Sequence, residues 1–217
     1  WDDAANLAVT LACWFLKTGG TVAGRGRMAA HLIRGTALPD NFTARPIPPR
    51  DATPALAPGP HALGLLVGFE FGQITAETLS ILAQIGSLRV TPWRMLLIEG
   101  AVEAPDIPGL ITAPNDPRLR VSACTGAPGC PQAQGQTRAL ARTLAKSVPV
   151  GNHLHVSGCA KGCARPAVSS ITLVARPRGF YDLIRDGQAS DTPTSTGLTS
   201  ESIATTPELM TEAQDAP

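Results

Sequence analysis

Four of the chain's five cysteines fall into two short pairs, and no other feature limits its possible folds as much. Cys124 and Cys130 are separated by five residues, Cys159 and Cys163 by three, and 28 residues lie between the pairs. Each pair sits in a stretch rich in small or turn-forming residues, Cys124-Thr-Gly-Ala-Pro-Gly-Cys130 and Cys159-Ala-Lys161-Gly-Cys163. Such stretches let the backbone curl round a compact object and turn its N–H groups inward. The segment opened by Pro131 reads as a helix to about Lys146. The first pair therefore stands before a helix N-terminus, where free N–H groups favour negative charge. A four-thiolate iron–sulfur cluster is anionic and rich in sulfur acceptors, and it suits these surroundings. Structural zinc is one rival, although its pairs are usually about two to four residues apart. Disulfides or free thiols are the other, and the sequence shows no secretory segment to favour them. Cys13, alone in an apolar helix, reads as a small buried hydrophobe.

Periodicity places the pairs in a mixed chain. Residues 2–17 read as a helix with Asp2 and Asp3 at its start and Leu7, Leu11, Trp14 and Phe15 on one face. Residues 27–34 read as a second, short helix closed by Gly35. Seven prolines between 36 and 60 read as an extended spacer. Residues 63–71 read as a strand, Thr75 caps a helix to about Ile85, and residues 88–98 read as a strand interrupted at Pro92, at an edge or a bulge. This is a β-α-β half-unit of ferredoxin-like type. Residues 153–157 and 168–175 read as strands, and 179–188 as a last strand with a turn at Asp186-Gly187. From 189 onward the chain is rich in Ser, Thr and Pro, acidic and aperiodic, and reads as a disordered tail.

Charge narrows the partners. From Asp186 onward there are six acids and no base, so the rest of the chain is modestly basic. Fifteen of its 18 Lys and Arg residues are Arg, whose planar fork suits carboxylates or phosphates. No basic cluster of the kind that binds nucleic acid is present. No apolar run reaches the roughly 18–20 residues of a membrane span, and a cytoplasmic location is expected. The first residue is Trp rather than Met, which points to a processed, truncated or partial reading. His153 and His155 alternate on one strand, so they face one side. They could hold a mononuclear non-haem iron or act as acid and base, but two His without a third ligand more often pack or hydrogen-bond. The loose glycine spacing from Gly20 to Gly26 follows no strand and is a weak match to a nucleotide loop.

The two-pair cysteine pattern resembles the cluster half of the nitrite/sulfite reductase family. The strand segment Leu88-Arg-Val-Thr-Pro-Trp-Arg94 is similar to that family's ferredoxin-like half-domain. The phrases ACTGAPGCPQA and HVSGCAKGCARP are more similar to the precorrin-3B synthases. Siroheme reductases typically carry Cys-Pro-Asn-x-Cys at the second pair, where this chain has Cys-Ala-Lys-Gly-Cys. The resemblance implies an α+β fold with a ferredoxin-like half-domain at 61–112 and a [4Fe–4S]-binding α/β domain at 113–188. Residues 1–36 would be the helical end of a preceding, missing half, 37–60 a linker and 189–217 a tail. It implies that Cys124, Cys130, Cys159 and Cys163 ligate a [4Fe–4S] cluster, with siroheme not expected. The implied reaction is oxygen-dependent conversion of precorrin-3A to precorrin-3B, a hydroxylation with γ-lactone formation in aerobic cobalamin biosynthesis. The implied partners are precorrin-3A, O2, an electron donor such as an NADH-linked reductase or a ferredoxin, and the other half in cis or in trans. A polycarboxylate macrocycle needs cationic donors, and the candidates are Arg89, Arg94, Lys161 and Arg165. A siroheme reductase fragment and a non-catalytic electron-transfer module are the alternatives.

Overall fold

A computed structural model describes residues 3–22, 24, 26–43 and 54–211. The chain divides into two compact units, Trp1–Pro54 and Ala55–Pro217.

The first unit holds helices α1 (Ala4–Lys17) and α2 (Met28–Ile33). They meet at His31, which is buried and packs edge-on against Trp14 and Phe15, with ring centroids 5.5 and 5.3 Å away. Its ring nitrogens are both matched, Nε2 by Thr18 Oγ1 at 2.7 Å and Nδ1 by Arg34 Nη2 at 3.2 Å. The expected apolar face of α1 is only partly used. Leu11, Trp14 and Phe15 are half-buried, but Leu7 is exposed. Cys13 is also exposed, so its reading as a buried hydrophobe does not hold. The Gly20–Gly26 spacing has a packing cause. A Cβ at Gly20 would run into the Phe15 ring, and one at Gly26 into the Gly20 carbonyl. Asp2 and residues 44–53 of the proline-rich spacer lie outside the described residues.

The second unit is built on two five-stranded sheets. The first is antiparallel, in the order β1 (Gly59–His61), β2 (Gly64–Phe69), β4 (Met95–Glu99), β3 (Leu88–Val90), with β5 (Leu110–Ile111) also paired to β2. Helix α3 (Ala76–Ile85) starts where Thr75 accepts a hydrogen bond from the Thr78 amide at 3.0 Å. It buries Leu82 against Leu65, Val67 and Ile98. Strands β2 and β3 run parallel with β4 between them, so β2-α3-β3 is a split β-α-β unit. Two expectations change here. The stretch 88–98 is two strands, because Thr91–Arg94 forms the hairpin turn between β3 and β4, with Arg94 left-handed at φ 59°. The spacer also ends earlier, since Gly59–His61 already pairs with β2.

The second sheet has the order β10 (Ser195–Thr199), β9 (Phe180–Gly187), β8 (Ser169–Ala175), β7 (Leu154–Ser157), β6 (Val121–Ala123). Strands β6, β7 and β8 are parallel and the rest antiparallel. One face carries Leu154, Val156, Ile171 and Leu173, which pack with Leu140, Ala141 and Leu144 of α4 (Arg138–Leu144) and Ile203 of α5 (Ser200–Thr205). Helix α4 starts at Arg138, well after the expected Pro131. The segment before it spends its amides elsewhere, Ala133 N on Cys130 O and Gln134 N on Gly158 O. The tail is also different from its reading as disordered. It adds β10 to the sheet edge, and Thr199 and Ser202 form a reciprocal cap on α5. Ile203 and Met210 are then fully buried, while Glu212 and Asp215 lie outside the described residues. Among the described residues no helix is long and apolar enough to cross a membrane.

The buried tail makes a stability prediction. Ile203→Ala should destabilise the fold by about 2–4 kcal/mol, as expected for emptying a packed site. A urea melt that leaves the midpoint where it is in the wild type would mean the tail contributes no core.

Candidate functional site

Strands β6 and β7 are neighbours in parallel register, with Val121 opposite Leu154 and Ala123 opposite Val156. Parallel neighbours release their following loops at the same end of a sheet, the end where α/β sheets usually bind ligands. The loop after β6 carries Cys124 and Cys130, and the loop after β7 carries Cys159 and Cys163. The two are stitched together. Gln134 N donates to Gly158 O at 2.7 Å, and Gly158 N donates to the Cys124 sulfur at 3.1 Å. A Cβ at Gly158 would stand 2.7 Å from that of Ala133, so only glycine lets the loops approach this closely. Thr137 Oγ1 donates to Cys124 O at 2.6 Å and ties the first loop to the start of α4.

All five cysteines are free thiols. Cys124, Cys130 and Cys159 are half-buried and Cys163 is exposed. Among the described residues no three His, Cys, Asp or Glu side chains converge as a metal-binding group. The loops are therefore adjacent but their thiols are not gathered. The donor set nevertheless fits an iron–sulfur cluster chemically, since four unpaired thiols on two bonded loops are its usual ligands, and an amide already points at one sulfur.

Beneath the second loop lies an unusual polar pair. His155 is fully buried on the sheet face opposite the core, and its ring carbon Cε1 lies 3.6 Å from where a Cβ would stand at Gly162. Among the described residues neither of its ring nitrogens has a partner, nor does Arg165 Nε, which is also buried. Each such group costs about 1–3 kcal/mol unless something satisfies it. His153, two residues earlier on the same face, is matched at Nε2 by Ser122 Oγ at 2.9 Å. Burial, with the Arg165 charge adding to it, lowers both imidazole pKa values to about 4. The neighbouring His155 lowers His153 further. A mononuclear iron on this pair has no third ligand gathered beside it among the described residues.

Close by is a cleft of about 300 Å³ lined in part by Phe71, Trp93, Arg94, Arg118 and Ser122. Arg94 lines it and also donates from Nη2 to Ala164 O of the second cysteine loop at 3.1 Å. Arg118 is held in place by donating from Nε to Asp116 Oδ1 at 2.9 Å and from Nη2 to Asp116 Oδ2 at 2.6 Å and Leu110 O at 3.0 Å. Its guanidinium bond holds the Asp116 carboxyl below the usual carboxylate range. Of the residues proposed from sequence to meet an anionic ligand, Arg94 reaches the cleft and Arg165 sits with the histidines. Lys161 is exposed on the second loop. Arg89 is elsewhere, exposed on β3 and bonded to Glu99. Sequence reasoning missed Arg118 and Ser122. The run Asp116-Pro-Arg118 carried a usable signal, since an Asx-type turn pins the arginine that follows it.

The histidines give a pH prediction. Their folded pKa values lie below the unfolded value near 6.5, so the unfolded chain takes up protons first on acidification. The stability from keeping them neutral is fully present above about pH 6.5 and is lost as pH falls from there towards 4. Following both imidazole Cε1 protons by NMR should give midpoints near 4. Midpoints near 6.5 would show that the pair is not desolvated.

No family model matches the chain. It is 34% identical over 200 aligned positions to a precorrin-3B synthase from Sinorhizobium sp, covering 82% of this chain and 42% of that protein. It is 32% identical over 124 positions to the sulfite reductase [NADPH] hemoprotein beta-component of Bordetella petrii, covering 47% of this chain and 21% of that protein. The chain thus spans less than half the length of either. The structure of the Mycobacterium tuberculosis NirA protein aligns at a TM-score of 0.44 and 21% identity, over 70% of this chain and 37% of that one. Its sequence makes the chain a relative of precorrin-3B synthase and, over a shorter stretch, of the sulfite reductase hemoprotein.

Proposed function

We propose that the chain is the cluster-bearing part of a precorrin-3B synthase. In this reading Cys124, Cys130, Cys159 and Cys163 hold a [4Fe–4S] cluster beside a cleft for the macrocycle. The observation that carries it is the similarity to precorrin-3B synthase over 82% of the chain, a stretch long enough to take in both cysteine pairs. The substrate would be precorrin-3A. One atom of O2 enters the product, the other leaves as water, and an external reductant supplies the electron pair. A cluster on these thiolates would deliver electrons singly, which ordinary side chains cannot do.

The chain's own residues supply orientation. Arg94 and Arg118 present fixed guanidinium groups to the cleft, where they can receive carboxylates of the substrate. Trp93 and Phe71 give it aromatic walls for a flat ring system. Because Arg94 also bonds Ala164 O, it holds the second cysteine loop against the cleft wall. The chain spans 42% of that synthase's length, and the whole synthase activity is a proposal for a protein of that length.

The similarity to a sulfite reductase hemoprotein favours one second reading, a siroheme-dependent reductase part. Anaerobic purification with iron and sulfide analysis, an absorption spectrum and EPR separates the two. About four iron and four sulfide per chain, a reducible signal and no siroheme band support the synthase reading. A siroheme band supports the reductase reading, and zinc in place of iron sinks both. Cys159→Ser should abolish cluster assembly, because one of four thiolates is lost. Full iron and sulfide content in that variant would remove Cys159 from the ligand set.

A further inference from the structure

The second cysteine loop rests on positive charge and donors that nothing in the described structure matches. His155 is fully buried beneath Gly162, with both ring nitrogens free of partners. Arg165 Nε is buried without a partner too, and among the described residues no acid forms an ion pair with this guanidinium. The nearby cations are placed differently. Arg94 spends a donor on Ala164 O, and Lys161 is exposed. A half-buried guanidinium with its Nε buried and no counter-ion, beside a buried imidazole with no partner, calls for a negative charge at that spot.

We infer that Arg165 and His155 form a counter-site for negative charge held by the Cys159–Cys163 pair, and that Arg165, rather than Lys161, sets how readily the group held there is reduced. The inference rests on the cluster reading and deepens it. A fixed positive charge favours the reduced, more negative form, and donors aimed at cluster sulfur act in the same direction. Both raise the reduction potential. An exposed lysine is screened by solvent and does so far less.

The test is a redox titration, followed by EPR, of anaerobically reconstituted wild type, R165Q, R165K and K161Q, with iron and sulfide measured on each sample. R165Q should keep its iron and become harder to reduce. Its oxidised-to-reduced ratio at fixed potential should rise by on the order of tenfold, about 59 mV for one electron. R165K and K161Q should stay near the wild type. Loss of iron from R165Q but not from R165K supports the same role, since it shows that the charge is needed to hold an anionic group. An R165Q potential equal to that of the wild type overturns the inference and leaves the cluster reading standing. So does an equal shift in R165K, equal loss of iron from both Arg165 variants, or a K161Q shift as large as that of R165Q. A wild-type chain that takes up no iron and sulfide, but protects Arg165 on adding inorganic phosphate, overturns both, and leaves an oxyanion site instead.

Discussion

The parallel pairing of β6 with β7 is the constraint on which the rest of the site depends. It aligns Ala123 with Val156 and so sends both following loops out of the same sheet end. Loops that carry cysteines far apart in sequence thereby become neighbours. The pairing is short, with only three residues of β6 in the ladder. The helices on the core face supply what hydrogen bonds alone would not, because Leu154 and Val156 are fully buried against α4. At roughly 1.5–3 kcal/mol for each such side chain, this packing fixes the strand and thereby the loops.

The two faces of the same sheet are used in opposite ways. One is apolar and closed by α4 and α5. The other has a smaller apolar cluster of Val174, Ile184 and Ala189 and also buries His155 and Thr172, and Thr172 satisfies itself on Gly187 O at 3.0 Å while His155 does not. Natural interiors rarely keep such a group without a use for it. The alternation of strand side chains makes this division possible, since a one-residue step from Val156 to His155 crosses the sheet.

Much of this was legible in the sequence, because local signals were strong where they coincided with tertiary needs. Thr75 marks the start of α3, and the strands read at 153–157 and 168–175 match β7 and β8. The misses have physical causes. Pro131 is a good helix opener, but loop-to-loop hydrogen bonds claimed the backbone that follows it. Strand β10 is an edge strand with mostly exposed side chains, so it has the polar, aperiodic composition of a coil. Ile203 and Met210 are too few to show as a period. The arginine-lined cleft was least legible of all. Its residues come from the end of β2 and the turn after it, from the β3–β4 turn and from the segment that runs into β6, and only the fold assembles them.

The position of α5 along the chain has a consequence for the order of events during synthesis. A ribosome releases Cys124 first and Cys163 well before Ile203 and Met210. All four thiols therefore emerge while the apolar face of their own sheet is still open on the side that the tail will cover. In that interval the nascent chain exposes both reactive sulfur and unburied core, the state most open to oxidation and to mispairing with other chains. A tail that looks dispensable by composition is thus the part that ends this exposure.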